Sequence, residues 1–124
     1  MTVAAPYLAT VVEHYRRPRN PRALPSPTHA HEGVNPLCGD RVRIELDVRG
    51  DAVMDAAFAA SACAIATASA SLLTERVRGG AVDAALRIDD ESIVAALGEG
   101  VPAGRRGCAT LPLHVLRRAL GRDA

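Results

Sequence analysis

The chain has 124 residues and a net charge of +1, with 48% hydrophobic and 23% charged residues. This balance is typical of a globular protein rather than a disordered one, and the length suffices for a single domain over residues 1–124. The near-neutral charge gives no electrostatic footprint for nucleic acid, and because every basic residue is arginine, a Schiff-base lysine and a lysine-based phosphate loop are excluded.

The first predicted element is a helix over Val3–Arg17. Its apolar residues recur at helical spacing and form one broad face: Tyr7, Leu8, Val11, Val12 and Tyr15. Pro18 and Pro21 end this helix, because proline has no N–H to donate and its ring clashes with the preceding turn. The proline-rich stretch Pro18–Pro36 predicts an irregular arm with a short edge strand near Ala30–Val34.

Two strands follow, joined by the turn Arg49-Gly50-Asp51. Arg41–Arg49 alternates apolar with charged residues, a period of two that predicts a strand with one buried face. The apolar members are Val42, Ile44, Leu46 and Val48. For the returning strand, Val53–Ala60, we predict one face made of Met54, Ala56, Phe58 and Ala60.

The second half of the chain predicts helices over Ala64–Arg78, Ala81–Arg87, Asp90–Leu97 and, after a glycine-rich connection over Gly98–Gly104, Ala109–Gly121. The last helix turns Leu111, Val115, Leu116 and Leu120 inward and Arg117, Arg118 and Arg122 outward. This order predicts an α+β fold with a small antiparallel sheet. Ala56–Thr74 carries no charge over 19 residues, but it is dominated by small residues, and we expect no membrane span.

Each of the three cysteines lies at a boundary between elements. Cys38 lies in the turn Asn35-Pro36-Leu37-Cys38-Gly39-Asp40, whereas Cys63 and Cys108 each lead into a helix. An odd number of cysteines and no leader at the N-terminus favour free thiols in a reducing cytoplasm. Because a helix N-terminus stabilises an anion, we expect Cys63 and Cys108 to favour the thiolate, which binds soft metals and attacks sulfur.

Asp40 adds a carboxylate to this set. In a strand entered at Gly39, residues 38 and 40 point the same way, so the thiol of Cys38 and the carboxylate could face one metal. Three thiolates and one carboxylate suit zinc or iron. The separations, 63 − 38 = 25 and 108 − 63 = 45 residues, mean that the fold must assemble such a site. The alternative is three buried structural cysteines, because free cysteine is often buried.

The histidines are weaker candidates. His14 is predicted as a surface or packing residue, and His114 faces away from Cys108, because six residues turn a helix by about 240° beyond a full turn. His29 and His31 lie two residues apart in the arm and could reach a metal, although solvated loop histidines are commoner.

Arg105 and Arg106 lie just before Cys108. Such residues are usually solvated charges. As cations beside thiolates they would favour ionisation, and they could pair with Asp40 when no metal is bound.

Four segments, spread over nearly the whole chain, resemble the IscU/SufU (NifU N-terminal-like) family of iron–sulfur cluster assembly scaffolds. They are His14-Tyr15 through Pro18-Arg19-Asn20, Asn35-Pro36-Leu37-Cys38-Gly39-Asp40, Phe58 through Cys63-Ala64-Ile65, and Arg105 through Cys108-Ala109-Thr110-Leu111. The resemblance implies a three-stranded sheet beside a helical layer. It also implies that Cys38, Asp40, Cys63 and Cys108 converge at an exposed tip and hold zinc or a nascent [2Fe–2S] cluster.

The resemblance further implies a scaffold rather than an enzyme. Such a scaffold accepts sulfur from a pyridoxal-phosphate cysteine desulfurase and passes its labile cluster to apo iron–sulfur proteins or carriers. We assign Cys108 as the first sulfur acceptor, because it follows the flexible Gly98–Gly104 connection. One alternative is a zinc-dependent sulfurtransferase of the SufU type that activates the desulfurase. Another is a small zinc-stabilised domain with an interaction role only.

The chain departs from the family pattern at three places. Gly107 stands where IscU scaffolds carry histidine, and the surrounding segment resembles SufU, yet the spacing leaves no room for the SufU insertion. Val101–Arg105 replaces the Leu-Pro-Pro-Val-Lys segment that the dedicated Hsp70 chaperone grips, so the resemblance does not extend to chaperone-assisted transfer. Ala60 and Ala62 replace two glycines, which predicts a stiffer loop at Cys63.

Overall fold

The computed structural model of the chain describes residues 6–98 and 101–121, and of residues 6–8 the backbone alone. The start of the predicted first helix at Val3, the side chains of Tyr7 and Leu8, Gly100 and Arg122 lie outside the described residues. The elements are α1 Pro6–Arg16, β1 His29–Asn35, β2 Asp40–Arg49, β3 Ala52–Ser61, α2 Ala64–Val77, α3 Val82–Leu86, α4 Asp90–Leu97, a 3-10 turn Ala103–Arg105 and α5 Arg106–Ala119.

The three strands form one antiparallel sheet in the order β1-β2-β3, as the sequence and the family resemblance predicted. Val42, Ile44 and Leu46 of β2 are fully buried, because α2 and α5 pack against the sheet and against each other. The predicted α+β class is therefore confirmed. That residues 1–124 form one domain stays a prediction. Within the described ranges, no helix is both long and apolar enough to cross a bilayer.

Of the predicted face of β3, Ala56 and Phe58 are buried as expected and Ala60 is exposed, but the placement of Met54 is wrong, because a bulge changes the phase of the strand there. Asp47 pairs with Asp55 but Val48 pairs with Val53, so Met54 is the extra residue. Met54 is consequently exposed at 51%, whereas Val53 is buried on the core side. Alternation cannot reveal such an insertion, because it depends on the partner strand.

The last helix begins three residues earlier than the sequence predicted. The 3-10 turn Ala103–Arg105 runs directly into α5, which starts at Arg106 rather than at Ala109. Cys108 therefore lies inside the first turn of the helix and not before it.

Glycine allows α5 to lie close to the edge strand β1. A Cβ atom on Gly33 would be 2.7 Å from Cγ2 of Val115, which is closer than two carbon atoms can approach. The strand itself is longer than the predicted Ala30–Val34, running over His29–Asn35, because β2 pairs with it along its whole length.

The segment that follows α1 is tied to the helical layer and to the sheet. The side chain of Ser71 in α2 accepts the backbone N–H of Arg19 at 2.8 Å and lies 2.7 Å from Nδ1 of His14. Asn20 takes a left-handed φ of 64°, and its carbonyl accepts the backbone N–H of Phe58 at 2.9 Å. His14 is thus buried. Of the two roles predicted for it, a surface residue or a packing residue, it has the packing role.

Gly33→Ala should lower the free energy of unfolding by about 1–3 kcal/mol, because the added Cβ forces α5 away from β1. Urea titration followed by circular dichroism measures this change. Gly104→Ala is the matched control, because a Cβ there would have no neighbour within 4 Å. Equal stability of the two variants would contradict the close packing of α5 on β1.

Acid should destabilise the fold through His14. Burial, and then the charge of Arg19, lower the pKa of His14, while Glu75 and Glu13 oppose part of this effect. Below the unfolded pKa of about 6.5, the unfolded chain binds a proton that the folded chain resists, so this stability is present above that pH and is lost as pH falls. Urea titrations across this range should give a steeper loss of stability for the wild type than for His14→Gln. Parallel profiles would contradict the role of His14.

Candidate metal and sulfur site

Two cysteines and an aspartate converge where the β1–β2 turn meets the start of α5. The sulfur atoms of Cys38 and Cys108 are 3.3 Å apart. These two sulfurs and a carboxylate oxygen of Asp40 all lie within 4.8 Å of one another. Among the residues that the structure describes, this is the one group of three or more such side chains with ligand spacing.

The turn that presents Cys38 is shaped by Asn35 and Gly39. The carbonyl of Asn35 accepts the N–H of Gly39 at 2.8 Å, and its side-chain oxygen accepts the N–H of Leu37 at 3.1 Å. Gly39 takes a φ of +72°, a conformation that favours glycine. Leu37 is 96% exposed, so the turn forms an exposed tip.

Gly107 allows this turn to approach α5. A Cβ atom on Gly107 would lie 3.1 Å from the side-chain nitrogen of Asn35, tighter than ordinary contact. Sequence reasoning missed the positioning roles of Asn35 and Gly107. Their separation of 72 residues, 107 − 35, leaves no local signal for it.

Asp40 is buried, and one of its two carboxylate oxygens has no hydrogen-bond partner among the described residues. Its Oδ1 accepts the backbone N–H of Cys63 at 2.9 Å, whereas its Oδ2 is buried and has no hydrogen-bond partner in the described part of the chain. Burial alone would raise the pKa of Asp40. Interactions with the Cys38 thiol, the Cys63 N–H and the other thiols outweigh burial and lower the pKa below its usual value. A charged carboxylate with an unpartnered buried oxygen is a feature that a bound cation explains.

Cys63 lies beside this group at the start of α2. It is the N-cap residue of α2, and its sulfur accepts the N–H of Ala66 at 3.5 Å, as a residue leading into a helix was expected to do. Its sulfur is not within 4.8 Å of all three other ligand atoms. The structure therefore brings Cys38, Asp40 and Cys108 together and places Cys63 next to them through its backbone bond to Asp40.

The expected thiolate of Cys108 is not supported. Cys108 is 1% exposed, and burial first, with the neighbouring Cys38, Asp40 and Cys63 adding to it, strongly raises the pKa of its thiol. The sequence suggested a residue that reaches outward from a flexible connection. Instead, Cys108 faces inward, because α5 already begins at Arg106.

The two arginines before Cys108 have separate partners. Arg105 lies beside the cysteines, and interaction with Cys108 first, then the charge of a Cys63 thiolate, raise the pKa of Arg105. Arg106 instead pairs with Glu91 of α4. The expected pairing of these arginines with Asp40 does not occur among the described ion pairs.

The remaining histidines stay away from the cysteine group. Nε2 of His114 lies 3.0 Å from a carboxylate oxygen of Asp90, on the side of α5 that faces α4. Nδ1 of His29 lies 2.8 Å from the hydroxyl of Thr28. Neither His29 nor His31 joins a ligand-spaced group in the part of the chain described. His114 does not belong to the ligand-spaced group of the described residues, and that it is no ligand stays a prediction.

The donor set of the site fits a soft to borderline metal ion. Thiolates suit zinc, iron and sulfane sulfur, whereas carboxylate is a harder ligand. Cys38, Asp40 and Cys108, with Cys63 beside them, would hold such an ion at the exposed tip. The unpartnered Oδ2 of Asp40 is the observation of this structure that favours the fit.

Comparison with known proteins shows which family the chain belongs to. The family model described as the NifU-like N terminal domain matches residues 6–122. The chain belongs to this family. It is 32% identical over 114 residues to the iron–sulfur cluster assembly scaffold protein IscU 1 of Archaeoglobus fulgidus, covering 92% of this chain and 74% of the relative. The family resemblance inferred from the four sequence segments is therefore confirmed.

Both branches of the family occur among the similar proteins. The chain is 31% identical over 134 residues to the zinc-dependent sulfurtransferase SufU of Bacillus subtilis, covering 94% of this chain and 90% of the relative. The crystal structure of the N-terminal part of a nitrogen-fixing NifU-like protein from Brucella abortus superposes with a TM-score of 0.74, covering 90% of each chain at 20% identity. This last likeness concerns the fold alone.

The thiols should differ in reactivity in the order of their exposure. In metal-free protein, iodoacetamide should modify the exposed Cys38 at least about tenfold faster than the buried Cys108, because only the accessible thiol meets the reagent. Mass spectrometry of peptides from a time course measures both rates. Comparable rates for the two cysteines would contradict the buried placement of Cys108.

Proposed function

We propose that the chain is an iron–sulfur cluster assembly scaffold that works in the reducing cytoplasm and carries its cargo rather than turning over a substrate. The observation that supports this most is the convergence of the exposed Cys38 with the buried Cys108 and Asp40 beneath the exposed β1–β2 turn, with an unpartnered buried carboxylate oxygen. Cys63, held beside them at the start of α2, is proposed as the fourth ligand. Family membership of the whole described chain supports the same function.

The proposed sulfur donor is a cysteine desulfurase carrying a persulfide. Cys108 first loses its thiol proton to solvent and then attacks the terminal sulfur of that persulfide, so a bond forms between Cys108 and this sulfur while the donor cysteine leaves as a thiolate. Arg105 lies beside Cys108 and would stabilise the attacking anion. Ferrous iron is the second substrate, and the finished [2Fe–2S] cluster passes to apo iron–sulfur proteins or carriers.

Asp40 gives this site its proposed capacity to release cargo. A carboxylate is a harder ligand than a thiolate and binds iron of a sulfide cluster less well than a fourth cysteine would. A site of three thiolates and one carboxylate therefore holds a cluster long enough to build it, but not permanently.

A second candidate function is a zinc-dependent sulfurtransferase that activates the desulfurase without building a cluster. Gly107 in place of a histidine and the location of Arg105 beside the cysteines favour it. The likeness to a sulfurtransferase of this kind over 90% of its length also favours it. In that case the same four residues would hold zinc as a resident ion.

Anaerobic incubation with a cysteine desulfurase, cysteine, ferrous iron and dithiothreitol tests the scaffold. We expect iron and acid-labile sulfide to appear on the chain in equal amounts. The matched variant Asp40→Ala should hold its cluster longer against a chelator, because it lacks the carboxylate ligand.

Two outcomes would decide against the scaffold. Tightly bound zinc with persulfide but no labile sulfide would establish the sulfurtransferase, provided that zinc is needed to stimulate the desulfurase. No sulfur transfer at all, with cysteine variants that only lose stability, would instead leave a zinc-stabilised interaction domain.

A further inference from the structure

The burial of Cys108 conflicts with the task that the proposed function gives it. A sulfur acceptor must meet the persulfide of another protein, yet Cys108 is 1% exposed. Its neighbour Cys38 lies at the open tip, and the two sulfurs are 3.3 Å apart. The turn of helix that carries Cys108 must therefore move before this thiol can react with a protein-bound sulfur.

Pro112 places a break in α5 at the carbonyl of Cys108. In an α-helix, the N–H of residue 112 would donate to the carbonyl of residue 108, but proline has no N–H. The proline ring also crowds the carbonyl four residues earlier, which favours opening of the helix at that point. The carbonyl that lacks this helical hydrogen bond is that of Cys108, the residue that carries the reactive thiol.

The helix is fixed on one side of this break. The hydroxyl of Ser69 in α2 donates to the carbonyl of Ala109 at 2.6 Å, and this bond is buried. Ala109, Leu113 and Leu116 are buried in the core, which holds the body of α5 in place.

The other side of the break has weaker attachments. Gly107 lies within the first turn, and glycine is a poor helix former. Upstream lies the 3-10 turn with the exposed Gly104. The side-chain ties of this first turn in the described part of the chain include a surface ion pair between Arg106 and Glu91 of α4 and a 3.1 Å hydrogen bond from the hydroxyl of Thr110 to the carbonyl of Arg106. Exposed pairs of this kind contribute little to stability.

We propose that Pro112 is a positioning residue for Cys108: it allows the first turn of α5, residues 106–108, to open as a unit and expose the Cys108 thiol to the sulfur donor. The inference rests on the proposed function for its purpose, but it concerns a motion of the free protein. The fixed body begins at Ala109, so the hinge lies at the junction of Cys108 and Ala109, where Pro112 leaves the carbonyl of Cys108 without its helical hydrogen bond. Sulfur would enter when this turn opens, and closure would return Cys108 to Cys38 and Asp40.

Alkylation of Cys108 in the absence of metal and desulfurase measures this opening. The full chain carrying Cys38→Ser and Cys63→Ser provides the background in which Cys108 is the one thiol. Pro112→Ala restores the helical hydrogen bond and should slow iodoacetamide modification about fivefold. Glu91→Gln removes the tie of Arg106 and should speed it about twofold. Because the two variants should change the modification rate in opposite directions, the test remains valid if one of them folds poorly.

Gly80→Ala is the control for stability in general. Gly80 lies after α2, and a Cβ there would meet the carbonyl oxygen of Val77 at an ordinary 3.5 Å. This change should stabilise the whole fold by restricting the unfolded chain and leave modification of Cys108 unaltered. Amide hydrogen exchange gives a second readout: Pro112→Ala should slow exchange at Thr110 and Leu111, while the body of α5 keeps its rate.

Modification that slows in Pro112→Ala and not in Gly80→Ala supports the hinge. Unchanged modification in both Pro112→Ala and Glu91→Gln overturns it. So does equal slowing in Pro112→Ala and Gly80→Ala, because Cys108 would then react through global unfolding. The desulfurase assay stays separate: a hinge that opens as expected, in a protein that never carries sulfur on Cys108, overturns the proposed sulfur acceptor and leaves the hinge intact.

Discussion

The hydrogen bond from the backbone N–H of Cys63 to Oδ1 of Asp40 joins the parts of the molecule that meet at the site. Asp40 begins β2, and Cys63 caps α2, so this 2.9 Å contact fixes the first strand residue to the first turn of the central helix. It also orients the carboxylate, because with Oδ1 engaged, Oδ2 is left buried and without a hydrogen-bond partner among the described residues. A bound ion would therefore be held by a carboxylate that the fold has already oriented.

The sequence predicted those parts of the fold that follow from local patterns. The alternation from Val42 to Val48 identified the central strand, and the spacing of apolar residues identified the helices within a few residues. The chemistry of three cysteines and Asp40 also pointed to a metal or sulfur site. What local patterns could not reveal depends on contacts between distant segments. The bulge at Met54 is defined by pairing with β2, and the burial of Cys108 depends on how far α5 extends toward the β1–β2 turn.

The proposed function places two opposing requirements on a cysteine of α5: its thiol must be protected from solvent, and another protein must be able to reach it. Thiols protected from solvent are shielded from unwanted oxidation, since reactivity follows exposure and thiolate character. A sulfur acceptor must nevertheless be reached by another protein. If Cys108 is the acceptor, as proposed, the fold meets both requirements by burying it in a helix whose hydrogen bonding is interrupted at that residue by Pro112. Gly107, which has no side chain, also lets the turn at Asn35 approach this end of α5.

The hydrogen bonds along the outer edge of β3 also affect whether the sheet can pair with other chains and aggregate. The outer edge of β3 bonds to Asn20 at Phe58, and near its start Val53 exchanges hydrogen bonds with Gly79 and Gly80. Exposed strand edges template pairing with other chains, and proteins commonly cover them to prevent aggregation. Here the arm after α1 and the turn after α2 cover β3 at two points. The sheet would therefore be extended by a foreign strand at β1, where the charged Glu32 and its partner Arg41 discourage such pairing.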